Sequence, residues 1–202
     1  MGRPMSAKDL ILGRIRAALR DAPAAPDIPR TYRRDFPAAD LELLVDRLLD
    51  YRAAVHRIPE TAIAATVSGL VRGPVVIPPG LPPSWHPATA LIDDDLPRDR
   101  IAAAEAVLTA AAVAVAETGT IVLDASPDQG RRIISLLPDI HFVVLRPAQV
   151  VASVPEAVAR LGAGRPLTWF SGPSATSDIE FNRVEGVHGP RHLHVLLLDG
   201  EA

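Results

Sequence analysis

Short apolar runs recur along this chain: "PVVI", "ALI", "TIVL", "HFVVL" and "HVLLL", each bounded by Gly, Pro, Asp, Arg or a polar turn and spaced by stretches with helical periodicity. Runs this short and this apolar satisfy their backbone groups by pairing side by side, and they stay dry only where both faces of the sheet are covered. Alternation with helices then implies parallel strands joined by crossovers, so the expected class is α/β, a sheet between covering layers. In such sheets ligands tend to collect at the carboxyl ends of the strands.

Along the chain, Ser6 caps a first helix with Leu10, Ile11, Ile15, Ala18 and Leu19 on one side. Residues 22–37, "APAAPDIPRTYRRDFP", carry four prolines and read as an extended linker. The expected organisation is therefore a helical arm and linker over 1–37 and an α/β domain over 38–202. Within the domain, helical spacing covers 40–57, and Pro59-Glu60 opens a helix to about Val71. "GPVVIPPG" and "ATALIDDDLP" read as strands, and 98–112 as an alanine-rich helix. "AVAVAETGTIVLDAS" reads as two strands around a tight connection. Ser126 and Pro127 start a helix to about Leu137, "IHFVVLRP" is a strand, and a helix runs from Ala152 or Ser153 to Leu161. "PLTWFSG" and "LHVLLLD" are the last strands.

Composition removes several function classes. With 24 acidic and 21 basic residues spread along 202, no basic block exists to neutralise a nucleic-acid backbone. The absence of cysteine rules out disulfides, thiolate nucleophiles and Cys-ligated zinc or iron–sulfur clusters in this chain. Lys8 is the only lysine, so a Schiff-base enzyme would depend on it, and no Gly-Lys-Ser/Thr phosphate loop is present. No Gly-x-Ser-x-Gly elbow or dinucleotide glycine fingerprint occurs. The first residues lack a continuous apolar core and no run reaches membrane-spanning length, which points to a cytoplasmic protein.

Chemistry concentrates in three places. Glu117, Thr118, Gly119 and Thr120 put a carboxylate beside a flexible turn whose amides can face an anion, or simply form a hairpin with an exposed acid. In "GPSATSDIE", Ser174, Thr176 and Ser177 offer hydroxyls and caps for a following helical turn. Asp178 and Glu180 are candidate acids, bases or acceptors there, and Arg183 a fork for an anion. The same residues also suit a helix start needing only caps. In "GVHGP", Gly186 and Gly189 permit positive φ and Pro190 fixes the exit, which would hold His188 at the apex of a constrained loop as a proton carrier or oxyanion donor. His192 and His194 share one face of a strand, but no zinc signature accompanies them and no metal is expected. His56, His86 and His141 read as surface or internally satisfied, and Asp93 to Asp95 as a solvated loop.

"AETGTIVL", "GPSATSDIE" and "GVHGP", in this order ahead of a terminal apolar strand, resemble the lactate-utilisation protein C family, the LUD domain, from about residue 40 to the end. The resemblance implies a three-layer α/β sandwich similar to the ribose-phosphate isomerase, glucosamine-phosphate deaminase and CoA-transferase group. It implies action with iron–sulfur companions in oxidising L-lactate to pyruvate, with the clusters in the partners because this chain has no thiolate to offer. It also marks Glu117, Thr118, Gly119, Thr120, Ser174, Thr176, Asp178, Glu180, His188 and Gly189 as motif positions. Ala175 stands where many members carry Arg, and Arg183 or Arg191 could replace that contact.

Three readings follow: a component of lactate oxidation that docks on iron–sulfur proteins, a transferase-like enzyme or binder of a small anion, or a structural or regulatory subunit with no ligand. In the second, Glu117 or His188 is the base and Asp178 orients His188 or Arg183. Thr118, Gly119, Thr120, Ser174, Thr176, Glu180 and Gly189 complete the binding set. A homo-oligomer is compatible with any of them.

Overall fold

The computed structural model describes residues 6–20, 27–31, 35–162, 164–176, 184–186 and 188–200. The chain divides into two units, Met1–Tyr32 and Arg33–Ala202. In the first, helix α1 (Ala7–Ala18) is capped as its sequence requires: Ser6 Oγ accepts from the Asp9 amide at 3.2 Å and Asp9 Oδ2 accepts from the Ser6 amide at 3.3 Å. Residues 27–31 have no regular structure, and 22–26 and 32–34 of the linker lie outside the described residues.

The second unit is built on a six-stranded, wholly parallel sheet in the order β1-β12-β7-β4-β2-β3. These strands are β1 (Ala54–Ile58), β2 (Val75–Ile77), β3 (Ala90–Ile92), β4 (Ala106–Ala110), β7 (Ile140–Leu145) and β12 (His192–Leu198). A four-stranded sheet, β8-β5-β6-β9, contains the hairpin β5 (Val113–Val115) and β6 (Thr120–Leu123), flanked by β8 (Val150–Val151) and β9 (Thr168–Phe170). A small antiparallel pair joins β10 (Ala175–Thr176) to β11 (Val184–Glu185).

Strand alternation sorts the core. Val75, Ile77, Leu108, Phe142 and Leu196 face helix α3 (Ile63–Leu70) through Ile63 and Val67. Val143, Leu145, Val195 and Leu197 face the opposite way, onto Leu44 and Leu48 of helix α2 (Leu41–Asp50) and onto Ala114 and Ile121 of the second sheet. Helix α4 (Arg98–Ala102) covers Val76 and Val107 on that same face through Ile101. Helix α5 (Val154–Arg160) covers the outer side of the second sheet, where Ala157 meets Val113, Val115 and Val122. The parallel sheet is thus buried on both faces, a three-layer α/β arrangement, as the alternation implied.

Three expected helices are corrected. The helix over 40–57 stops at Asp50; Arg52 turns the chain at φ 64°, and 54–58 become edge strand β1, in which Val55 reaches the core by strand alternation instead. The alanine-rich helix over 98–112 ends at Ala102, and its second half is β4, buried throughout between β7 and β2. Burial on both faces outweighs the helical preference of alanine there. The helix from Pro127 is replaced by a turn and a single 3-10 stretch over Arg132–Ser135. The carbonyls of Pro127 and Asp128 are already taken by the amides of Gly80 and Ala110, both at 3.0 Å, and so are not available to a helix.

Asp93 also departs from a solvated loop. Its side chain is buried, and both oxygens receive Arg131, from Nε at 2.9 Å and Nη2 at 2.5 Å, while Asp95 stays exposed and accepts from Nη1 at 2.9 Å.

Candidate functional site

A cavity of about 280 Å³ lies at the amino ends of β7 and β12, not at carboxyl ends. Its walls are the loops leading into those strands together with β9 and the turn after it. Ser174, His188 and Gly189 line it, joined by Arg132, His141 and Thr168, none of which the sequence had singled out for the site.

The loop carrying His188 is stitched to Ser174. The Ser174 amide donates to the Pro190 carbonyl at 2.8 Å, its carbonyl accepts from the Gly186 amide at 3.1 Å, and its Oγ accepts from the His188 amide at 3.1 Å. Gly186 takes φ 83°, and His188 is exposed and lines the cavity. Ser174 does not begin a helix. Residues 175–176 pair as strand β10 with 184–185, so their amides serve a ladder. Thr176 lies on that strand, and Asp178, Glu180 and Arg183 lie outside the described residues.

Arg191 does not point its fork at a ligand. Its Nε and Nη2 donate to the Asp139 carboxylate at 2.5 and 2.8 Å, which holds that acid below the ordinary carboxylate range. The clamp ties the loop before β12 to the loop before β7, reinforced by the His192 amide on the Asp139 carbonyl at 3.1 Å.

"ETGT" forms the β5–β6 turn, where Gly119 takes φ 61° and passes so close to α2 that a Cβ would stand 2.7 Å from Arg47 Cβ. The turn reaches the cavity indirectly: Thr118 Oγ1, Thr120 Oγ1 and Ser171 Oγ form a hydroxyl chain with links of 2.7 Å each, and Ser171 is in the cavity wall. Glu117 is elsewhere. Its carboxylate accepts from the Val154 amide at the start of α5 at 3.1 Å, and it lines a separate surface depression beside Arg47 and Tyr51. The structure therefore brings His188, Ser174 and Gly189 together and keeps Glu117 apart from them.

Behind the cavity, His141 is buried and its Nε2 meets Thr109 Oγ1 at 2.9 Å, with the Phe170 ring 5.4 Å away. Removal from water lowers its pKa from 6.5 to about 4, so it stands neutral. Chelation by His192 and His194 does not form: His194 instead stacks on His56, with ring centres 5.3 Å apart and His56 Nε2 3.0 Å from His194 Nδ1. Among the described residues no cluster of His, Asp and Glu could hold a metal ion.

The polar residues lining the cavity include Arg132, whose Nη1 donates to Thr168 Oγ1 at 2.6 Å, with His188, Ser171 and Ser174. A cationic fork beside hydroxyl donors suits a small carboxylate.

Residues 84–198, which contain this whole constellation, match the LUD domain. Over 191 residues the chain is 44% identical to a Deinococcus radiodurans protein named lactate utilization protein C, covering 88% of this chain and 89% of that one. The chain belongs to the LUD-domain family. Proteins of the same name from Bacillus pumilus and Geobacillus thermodenitrificans are 39% and 31% identical, with matches spanning 39% and 64% of their lengths. A crystal structure of a DUF162 family protein from Deinococcus radiodurans superposes with a TM-score of 0.69 at 39% identity, covering 79% of this chain and 96% of that one. Within this LUD domain, sequence motifs led to the hydroxyl and histidine loops. The signal missed for His141 was a lone polar residue inside the apolar run "IHFVVL".

Proposed function

We propose that this chain acts in L-lactate utilisation in the cytoplasm, as a component that works with iron–sulfur partner proteins in oxidising lactate to pyruvate. The observation carrying this reading is the 44% identity, across nearly the full length of both chains, to the Deinococcus protein named lactate utilization protein C. Oxidising lactate to pyruvate releases two electrons and two protons, the electrons taken one at a time by iron–sulfur clusters and the protons by a base and by water. A chain without cysteine gives no thiolate to a cluster, so in this account the electrons pass to clusters in the partners.

The chain's own share is to hold a small carboxylate in the amino-end cavity. Arg132 and the Ser174 and Ser171 hydroxyls receive the carboxylate, and His188 at the mouth receives or returns the proton. Asp178 and Arg183 belong to this proposal as the groups that orient His188 and the anion. No helix among the described residues is long and apolar enough to cross a membrane.

A second reading has its own support. Every hydrogen bond described for Ser174 is spent inside the loop pair, which is what a structural clamp in a subunit with no ligand would show. Deleting the gene and following growth on L-lactate, with co-purification of the iron–sulfur partners on the tagged chain, tests the first reading. Growth lost and partners retained support it; normal growth without the chain overturns it. Ser174→Ala, which removes the hydroxyl that accepts from the His188 amide, then separates site from clamp: lost growth at unchanged melting temperature indicates a site, and lost melting temperature indicates a clamp.

A further inference from the structure

The parallel sheet has a second concavity, at its opposite end. From β2 the chain goes to β3 at one edge, whereas from β4 it proceeds towards β7 and β12 at the other, so the strand order reverses between β2 and β4. Adjacent loops diverge at such a reversal and leave a crevice beyond the carboxyl ends of the strands. Here the crevice measures about 480 Å³, with Gly80 beyond β2 and Ala111 and Ala112 beyond β4 as its floor.

One segment, "DASPDQG", residues 124–130, builds its wall, and the segment is held rigidly. Asp124 Oδ1 accepts from the Ser126 amide at 3.1 Å and from its hydroxyl at 2.5 Å, Gln129 Oε1 accepts from the Asp124 amide at 2.5 Å, and Ala125 is held at φ 55°. A non-glycine residue in that region costs on the order of a kcal/mol, which the surrounding bonds must offset. Gly80 is pressed so close that a Cβ would stand 2.4 Å from the Pro127 carbonyl carbon.

We propose that this crevice is a second ligand site, for a neutral polyhydroxylated small molecule such as a sugar alcohol. The carboxylates of Asp124 and Asp128 are acceptors, and they are balanced by Arg160 in the wall and by Arg165, whose Nη1 reaches Ser126 Oγ at 2.8 Å and lies 3.8 Å from Asp124 Oδ2. Arg165 offsets Asp124 from just outside the lining, and Arg160, with Nη1 on the Ala148 carbonyl at 2.9 Å, is the guanidinium within it, so acceptors and donors lie side by side; hydroxyls, each both donor and acceptor, satisfy both. Gln149 fixes the rear wall by donating to the Ala111 carbonyl at 2.5 Å. Removal from water, with repulsion from Asp124 adding to it, holds the Asp128 carboxyl above its ordinary range. The site shares no residue with the amino-end cavity, so it stands or falls separately from the lactate reading.

The test is an amide NMR titration of the full chain with ribitol, with L-lactate and ethanolamine as anionic and cationic probes. Saturable ribitol shifts at Gly80, Ala112, Val113 and Gly130 are expected. Affinity should weaken about tenfold in Asp128→Ala and in Arg160→Ala, as loss of a charged hydrogen bond implies. Arg160 is exposed on α5, so its variant keeps the test decisive if Asp128→Ala does not fold. No saturable ribitol shift, shifts undiminished in the folded variants, or shifts at these amides from ethanolamine or L-lactate instead of ribitol would each overturn the proposal.

Discussion

At the amino ends of β7 and β12 the cavity is faced by Arg132, His188 and serine hydroxyls, whereas beyond β2 and β4 the crevice is faced by Asp124 and Asp128 with guanidinium groups balancing them. The first is assembled from loops far apart in sequence, pinned by the Ser174 bonds and the Asp139–Arg191 clamp. The second takes its carboxylates from one contiguous turn, which spends its carbonyls on Gly80 and Ala110, with Gln149 and Arg160 completing the wall. A single rigid sheet can therefore offer two unlike chemistries at its two ends, because the loops, and not the strands, choose the charges.

The largest expected effect removes the platform both ends share. Phe142 is fully buried at the centre of the sheet, and Phe142→Ala should cost about 3–5 kcal/mol in denaturant unfolding and weaken both ends together. If one end kept its binding in a chain so destabilised, the common platform would be disproved.

Acid comes next. The His141 pKa falls from 6.5 to about 4 on folding, so the unfolded chain takes up its proton first. Stability is full above pH 6.5 and is lost as the pH drops from there towards 4, by on the order of 3 kcal/mol for this buried ring. His194, lowered to about 4 by burial and then by repulsion from His56 and His192, works in the same direction. Denaturation at a series of pH values checks this, and His141→Gln should flatten the slope; an unchanged slope would assign the acid sensitivity elsewhere.

Arg132→Ala should weaken L-lactate binding about tenfold while leaving the melting temperature and the carboxyl-end crevice as they were, read by calorimetric titration. Equal weakening at both ends would erase the distinction between them. The smallest effect belongs to the exposed Asp139–Arg191 pair, where Arg191→Ala should cost no more than about 1 kcal/mol and loosen only the amino end.

Much of this architecture was legible in the order of residues. Alternating apolar runs gave β2, β3, β7, β9 and β12, and Thr-Gly between β-branched residues gave the β5–β6 hairpin. β1 and β4 were hidden because their residues also satisfy helical spacing, and only pairing with neighbours distant in sequence decides between the alternatives. The site divides the same way. Ser174, His188 and Gly189 stood in a glycine-bounded motif that loops demand, whereas Arg132 enters from a 3-10 turn about forty residues earlier and His141 from inside a strand. "DASPDQG" resembled a capped helix start, and its role as a crevice wall depended on which strands it folded back over.

Growth on L-lactate bears most directly on the central claim. In a strain lacking this chain, the wild-type gene should restore growth, and Arg132→Ala combined with His188→Ala, with a wild-type melting temperature, should fail to do so. Full growth with that double variant, or with no copy of the gene at all, would contradict the account.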